Sequence, residues 1–255
     1  MINYSDVIVK KGEKPEIIFN SKNDKKLIGS VVTIYHGSNI IHQTKYNDCG
    51  NKIILPEFDN DLVELTVEIA TKPGPFTFPL TIMRLDHITP YIICDIDFTV
   101  SATSLYGYIT NNLLHMKMIL NSCSILNNLS PYFKIIYLTG RYHCYTKLTK
   151  LWIKKNAFPD GPMLSRKNET SLQLKQYKVK ALDKIVSINP NGIGIGDLKS
   201  DIKAYLHHNL NAIKIIHPIV SKRNSSYSQE NNLYYTVKSW LGIEQLFKDK
   251  FINRS

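Results

Sequence analysis

The sequence predicts an α/β protein in which a mostly parallel sheet with helices on both faces occupies residues 89–255, behind a small β-sandwich-like module at residues 1–88. Three observations point there. Short β-runs separated by turn residues fill the first third, with no convincing 3.6-residue period. After Pro90, strand-like and helix-like segments alternate. The first of those strands, Tyr91-Ile92-Ile93-Cys94, is a continuous apolar run, as expected of a strand covered on both faces. At about 150 residues per domain, 255 residues suit one large or two small domains.

The β-runs of the N-terminal part are EIIF, LIGSVVTIY, NIIHQTKY, KIILPEF, LVELTVEIA and FTFPLTIM. Several alternate apolar and polar positions, and His36-Gly37-Ser38-Asn39 and Asp48-Cys49-Gly50-Asn51 suit hairpin connections. The boundary falls near residues 86–90. Beyond it the pattern predicts helices near 111–127, 145–156, 171–187 and 200–207, and strands at 133–138, 193–195 and 212–216. Residues 221–232, SKRNSSYSQENN, read as a polar loop. Residues 236–251 read as a helix whose apolar stripe, Val237, Trp240, Leu241, Phe247 and Phe251, suits packing on the domain better than lying on a membrane.

The 32 Lys and Arg exceed the 21 Asp and Glu, giving a formal charge of +11. That balance suits an anionic partner, whether nucleic acid, lipid headgroup or phosphorylated substrate, or simply a solvated basic surface. The N-terminus lacks the apolar run of about 7–15 residues of a secretory signal, and no apolar stretch reaches the roughly 18–20 residues of a membrane-spanning helix. Cys49, Cys94, Cys123 and Cys144 form no C-x-x-C pair, which argues against a zinc site or a disulfide framework. The expectation is a protein of a reducing compartment, cytoplasmic or exported without a cleaved signal, with peripheral membrane contact left open.

Two acidic clusters stand directly after predicted parallel strands, where open α/β sheets place their ligands. Asp95-Ile96-Asp97-Phe98-Thr99 follows YIIC, and Gly196-Asp197-Leu198-Lys199-Ser200-Asp201 follows GIGI. Carboxylates gathered in one crevice repel one another unless a cation sits among them, and such oxygen ligands suit Mg²⁺. A single Asp at a strand end is an ordinary helix cap; two clusters favour a shared site of Asp95, Asp97, Asp197 and Asp201. A third strand end supplies Thr139, Gly140 and Arg141, with the hydroxyl, close backbone and guanidinium that a phosphoryl group needs. The stretch Gln176-Tyr177-Lys178-Val179-Lys180-Ala181-Leu182 can add a fixed positive charge.

The order D-x-D-x-T, strand-terminal Thr, Lys, then G-D-x-x-x-D resembles the haloacid-dehalogenase-like (HAD) phosphatases over roughly residues 91–216. Within that superfamily it is most similar to the lipin and LNS2 group and related phosphatidate phosphatases. That closer likeness rests on residues 156–166, NAFPDGPMLSR, and on YKVKALDKI. The resemblance implies a Rossmann-like HAD fold and a phosphomonoester hydrolase. Asp95 would be the nucleophile that forms an aspartyl-phosphate, and Asp97 the acid and base. Thr139 would bond a phosphoryl oxygen, Lys178 would stabilise it, and Lys175 and Lys180 are the alternatives for that lysine. Mg²⁺ would be held by Asp95, the backbone carbonyl of Asp97, and Asp197, with Asp201 as ligand or support. Thr99, Gly140 and Arg141 would line the phosphate site.

LNS2-like domains that bind phosphatidate without hydrolysis lack the second motif aspartate; Asp97 is present here, which favours catalysis over a non-catalytic lipid or phosphopeptide binder. Phe98 stands where Gly or Asp is common. Only some 40 residues separate Thr99 from Thr139, which leaves little room for a cap; in the resembled family, capless or minimally capped members act on large substrates, phosphoprotein or phosphatidate-like lipid, more often than on small metabolites. Tyr106 and Tyr108 in the expected flap could stack on an aryl phosphate or merely pack locally. Gly192-x-Gly194-x-Gly196 has the wrong spacing for dinucleotide binding and suits a strand passing under the site. The adjacent His207 and His208 diverge on a helix and read as surface or helix-end residues. No basic stripe interleaved with aromatics marks a nucleic-acid binder.

Overall fold

A computed structural model of the chain describes residues 2–21, 27–46, 51–72, 74–102, 113–166, 174–216 and 225–252. The N-terminal part forms two sheets. Strands β1 (Ile2–Asn3), β3 (Glu16–Ser21) and β6 (Asn51–Ile54) make a three-stranded antiparallel sheet in the order β1-β3-β6. Strands β2 (Val7–Lys10), β4 (Val31–His36), β5 (Asn39–Lys45), β7 (Leu62–Ile69) and β8 (Phe76–Leu85) make a five-stranded sheet in the order β2-β8-β7-β4-β5. Only β2 runs parallel to its neighbour there. Along β7, Val63, Leu65, Val67 and Ile69 are buried at every second position, the period that turns one face of a strand to a core. They meet Ile17 and Phe19 of β3 and Ile53 of β6, so the two sheets share one apolar cluster. Gly37 takes a positive φ of 60° in the tight connection between β4 and β5. The second expected hairpin turn, at residues 48–51, lies almost wholly outside the described residues.

The C-terminal part is a seven-stranded sheet. Its strands are β9 (Tyr91–Cys94), β10 (Lys134–Tyr142), β11 (Met163–Arg166), β12 (Gly192–Gly196), β13 (Asn211–Ile215), β14 (Tyr227–Asn231) and β15 (Tyr234–Val237). The order is β11-β10-β9-β12-β13-β15-β14, parallel throughout except for β14. The helices are α1 (Ser122–Leu129), α2 (Thr146–Lys155), α3 (Leu174–Ile188), α4 (Lys199–His207) and α5 (Trp240–Phe247). The four residues of β9 are all buried, and so are the five of β12, as a parallel sheet sandwiched by helices requires. Glycine at Gly194 allows α4 to approach this sheet, because a Cβ there would meet the Tyr205 ring at 2.3 Å.

Several elements differ from the sequence pattern. The expected helix at 111–127 is, among the described residues, a 3-10 turn at Leu113–His115, an extended piece, and α1. The extended piece pairs with residues after the first acidic cluster: Ala102 N donates to Lys117 O and Ile119 N to Val100 O. Its apolar residues therefore answer non-local partners rather than a helical period. The FPDGP turn leads into β11, an edge strand. Residues 227–231 of the expected polar loop form β14, an edge strand whose mostly exposed side chains leave no apolar signature. Residues 236–237, the start of the expected helix, belong to strand β15, and the C-terminal helix begins at Trp240. Trp240, Ile243, Leu246 and Phe247 of α5 are buried in the core, with Phe251 packed against it. Among the described residues no helix is long and apolar enough to cross a membrane.

The two parts are joined tightly. Ile8, Met83 and Leu85 share an apolar cluster with Tyr91, Ile93, Ile136, Leu138 and Leu182. Buried Asp6 is the polar centre of the junction. Its Oδ1 accepts from Thr81 N at 2.8 Å and Lys150 Nζ at 2.8 Å, and its Oδ2 accepts from Met163 N at 2.7 Å.

Candidate active site

β9 and β12 are hydrogen-bonded neighbours, with β10 and β11 beyond β9 on one side and β13 beyond β12 on the other. The chain thus switches direction across the sheet at β9, and the crevice outside the carboxyl ends of such strands is where open sheets bind ligands. Asp95 follows β9, and its N–H donates to Ile195 O at 3.0 Å, which extends the ladder by one residue and fixes where the side chain leaves the sheet. Asp197 follows β12.

Lys178, on α3, reaches in from beside the sheet. Its Nζ lies 2.7 Å from Asp95 Oδ1 and 2.6 Å from Asp201 Oδ1, with all three side chains no more than 5% exposed. Lys175 and Lys180 on the same helix are exposed, so of the three candidate lysines it is Lys178 that meets the carboxylates. Asp201, in the first turn of α4, has a second duty: its Oδ2 accepts from Leu198 N at 3.1 Å at the helix start. Asp201 thus both closes the helix start and stands among the carboxylates. Glycine is required at Gly196, where a Cβ would lie 2.6 Å from Asp201 Oδ2.

Burial pushes the Asp95 carboxyl well up; the Lys178 ammonium opposes this, and the Asp201 and Asp97 carboxylates add to it. Burial and the Asp201 carboxylate push Asp197 up to about 6. Lys178 moves the other way from a lone buried lysine. Burial pulls its pKa down, but Asp95 and Asp201 outweigh that and raise it, so it stays charged. One ammonium does not satisfy the cluster. Asp95, Asp197 and Asp201 each place a carboxylate oxygen within 4.8 Å of the others, a set of hard oxygen donors short of positive charge that could hold a divalent cation. The Asp97 carboxylate is not in this cluster.

Asp97 is drawn to Arg141 instead. Arg141 Nε donates to Asp97 Oδ2 at 3.0 Å and Nη2 to Oδ1 at 2.6 Å. Arg141 was expected to face a phosphoryl group; the structure buries it to 1% exposure against Asp97, whose side chain is 31% exposed. Thr139, expected at a strand end, is buried within β10, which runs on to Tyr142; it pairs with Ser165 of β11, and its Oγ1 accepts from Arg141 N at 3.2 Å. Gly140 backs onto Leu174. Thr99 is buried, and its Oγ1 has no hydrogen-bond partner among the described residues. The expected flap tyrosines, Tyr106 and Tyr108, lie outside the described residues. His208 of the surface pair sits against Val179 O and Asp183, away from any acidic cluster with metal-binding geometry.

Sequence reasoning missed Trp240 as part of this region. Its Nε1 donates to Thr99 O at 2.7 Å, tying α5 to the first acidic loop. It also missed Thr149 and Met116, which hold the Arg141 guanidinium. A Trp in an apolar stripe signals burial, and nothing in the pattern names its polar partner.

No protein-family model matches the chain. No curated protein matches it either. Among solved structures, a chain of the Pnkp1/Rnl/Hen1 RNA repair complex is similar over 50% of this chain and 42% of its own, at 18% identity and a TM-score of 0.42. A haloacid dehalogenase-like family hydrolase from Streptococcus pneumoniae is similar over 56% of this chain and 65% of its own, at 16% identity and a TM-score of 0.40. Fibronectin(III)-like modules of Clostridium thermocellum CbhA align with 33% of this chain and 94% of their own, at 14% identity and a TM-score of 0.25. The chain thus spans less than two thirds of the first two.

Proposed function

We propose that the protein is a Mg²⁺-dependent phosphomonoester hydrolase of HAD type that works through an aspartyl-phosphate on Asp95. The observation that carries this reading is the buried Lys178 ammonium clasped between Asp95 and Asp201, with Asp197 beside them, at the carboxyl ends of adjacent parallel strands. Lys178 holds the Asp95 carboxylate in one orientation and offsets charge as phosphate approaches. An Asp95 oxygen forms a bond to phosphorus while the bond from phosphorus to the leaving oxygen breaks. Asp97 gives a proton to that leaving oxygen, then takes one from the water that attacks the aspartyl-phosphate. A Mg²⁺ held by Asp95 and Asp197, with Asp201 in support, would neutralise carboxylate and phosphate repulsion and stabilise developing charge. Thr139 and the free Thr99 hydroxyl are the neutral donors for phosphoryl oxygens.

On this reading residues 1–88 are a β-sandwich-like module and residues 89–255 a minimally capped catalytic domain. Between the acidic loop and β10, the described residues hold one 3-10 turn and α1, and α1 is packed into the core. Phe98, Tyr142 and Leu198 directly follow Asp97, Arg141 and Asp197, and each is more than a third exposed. Such a rim suits an ester whose phosphate is joined to an apolar body, as in phosphotyrosine of a protein or a phosphatidate-like lipid of the lipin group. The test is phosphate release from a phosphotyrosine peptide and from phosphatidate vesicles, with Mg²⁺ or EDTA, for the native chain and Asp95→Asn. Release that needs Mg²⁺ and is lost in Asp95→Asn is expected. Binding to either without release would replace the hydrolase reading with a binding module.

A further inference from the structure

We propose that Arg141 is a positioning residue that aims the Asp97 carboxylate, and not a ligand of the substrate phosphate. The inference rests on Asp97 being the acid and base of the proposed reaction. Between Thr139 and Tyr142 the pairing of β10 with β11 slips, and a slip of this kind next to a site re-aims the side chains that follow it. The Arg141 N–H turns back onto Thr139 Oγ1, and the side chain runs under the first acidic loop. There the fork of Nε and Nη2 takes both oxygens of Asp97, the planar two-bond geometry that fixes a carboxylate's direction as well as its place.

The guanidinium is itself held. Nη1 donates to Thr149 Oγ1 at 3.1 Å, and Thr149 Oγ1 donates in turn to Tyr145 O at 2.8 Å. Nη2 also lies 3.2 Å from Met116 Sδ. Thr149 and Arg141 are buried, whereas Asp97 keeps an open side. The order from core to solvent is therefore Thr149, Arg141, Asp97: the arginine stands behind the reacting group. To present its Nε–Nη2 fork to a phosphate it would have to release both Asp97 oxygens.

The experiment is steady-state kinetics with saturating Mg²⁺ on 4-nitrophenyl phosphate, whose leaving group departs without a proton, and on an alkyl phosphate such as glycerol phosphate, whose leaving group needs one. Native chain, Arg141→Lys, Asp97→Asn and the double variant are compared. Lysine keeps the charge and loses the fork. Arg141→Lys is expected to lower kcat/KM, which reports the steps up to the aspartyl-phosphate in which the leaving group departs, by about 10- to 100-fold for the alkyl ester, the scale of a misplaced catalytic group. The loss should be several-fold smaller for the nitrophenyl ester, and the substitution should cost little further in the Asp97→Asn background. Should Arg141→Lys fail to fold, Thr149→Val removes the support of Nη1 at nearly constant volume and should show a weaker form of the same pattern. Equal losses on both esters, or multiplicative losses in the double variant, would overturn the positioning role and leave the hydrolase reading standing. A native chain that releases no phosphate from either ester would sink the hydrolase reading and this inference with it.

Discussion

Phe98 has a φ of 53°, in the left-handed region that costs a bulky side chain about 1–2 kcal/mol. Its side chain is 38% exposed, so little core packing offsets that cost. Phe98→Gly is expected to leave stability unchanged or raise it by up to about 1 kcal/mol in urea unfolding, whereas Phe98→Val should lower it. Asp197 makes a pH-dependent counterpart. With a folded pKa of about 6 against roughly 3.9 unfolded, the native state binds the proton more tightly, so stability falls as pH rises from about 4 to 6. Asp86, held at about 2 by hydrogen bonds from Thr89 and Ile88, acts in the opposite sense below that window. Urea unfolding in EDTA between pH 4 and 7 should show the falling limb, and Asp197→Asn or saturating Mg²⁺ should flatten it; a rise in EDTA over the same range would contradict the assignment. The carboxylates were legible from sequence because an Asp directly after an apolar strand has its position set by the sheet. The partner of Arg141 was not, because a slip in strand pairing decides it.

At the level of elements, α5 does more than cover the sheet. Trp240 Nε1 donates to Thr99 O, and both residues are buried. Trp240→Phe would retain much of the packing and leave that carbonyl without its donor, a loss of about 1–3 kcal/mol. It should also lower kcat more than it changes KM, since Thr99 O belongs to the loop that carries Asp95 and Asp97. An unfolding curve and a kinetic series on the same preparation check both. The C-terminal elements that sequence patterns found are those with local signatures: β9, β10, β12, β13, α2, α3 and α4. The edge strands β11 and β14 and the extended piece before α1 owe their conformation to partners elsewhere in the chain, and a polar strand such as 227–231 has no period to read.

Across the whole molecule, the seven-stranded sheet and the N-terminal sheets are bound through Asp6. Its side chain is fully buried, and Lys150, at 11% exposure, is its ionic partner. Asp6→Ala would strand that ammonium and two backbone N–H groups. A loss of about 3–5 kcal/mol in unfolding stability is expected, with both parts melting less cooperatively by calorimetry. Nothing in the run Tyr4-Ser5-Asp6-Val7 marks this role, because the groups that meet Asp6 sit 75 to 157 residues further on. Those separations also set a timetable. At about 5–20 residues per second of synthesis, Met163 follows Asp6 by roughly 8–30 seconds, so a nascent chain must carry this carboxylate in water while the strands around it pair. Asp6 has its full set of partners only once Met163 has left the ribosome.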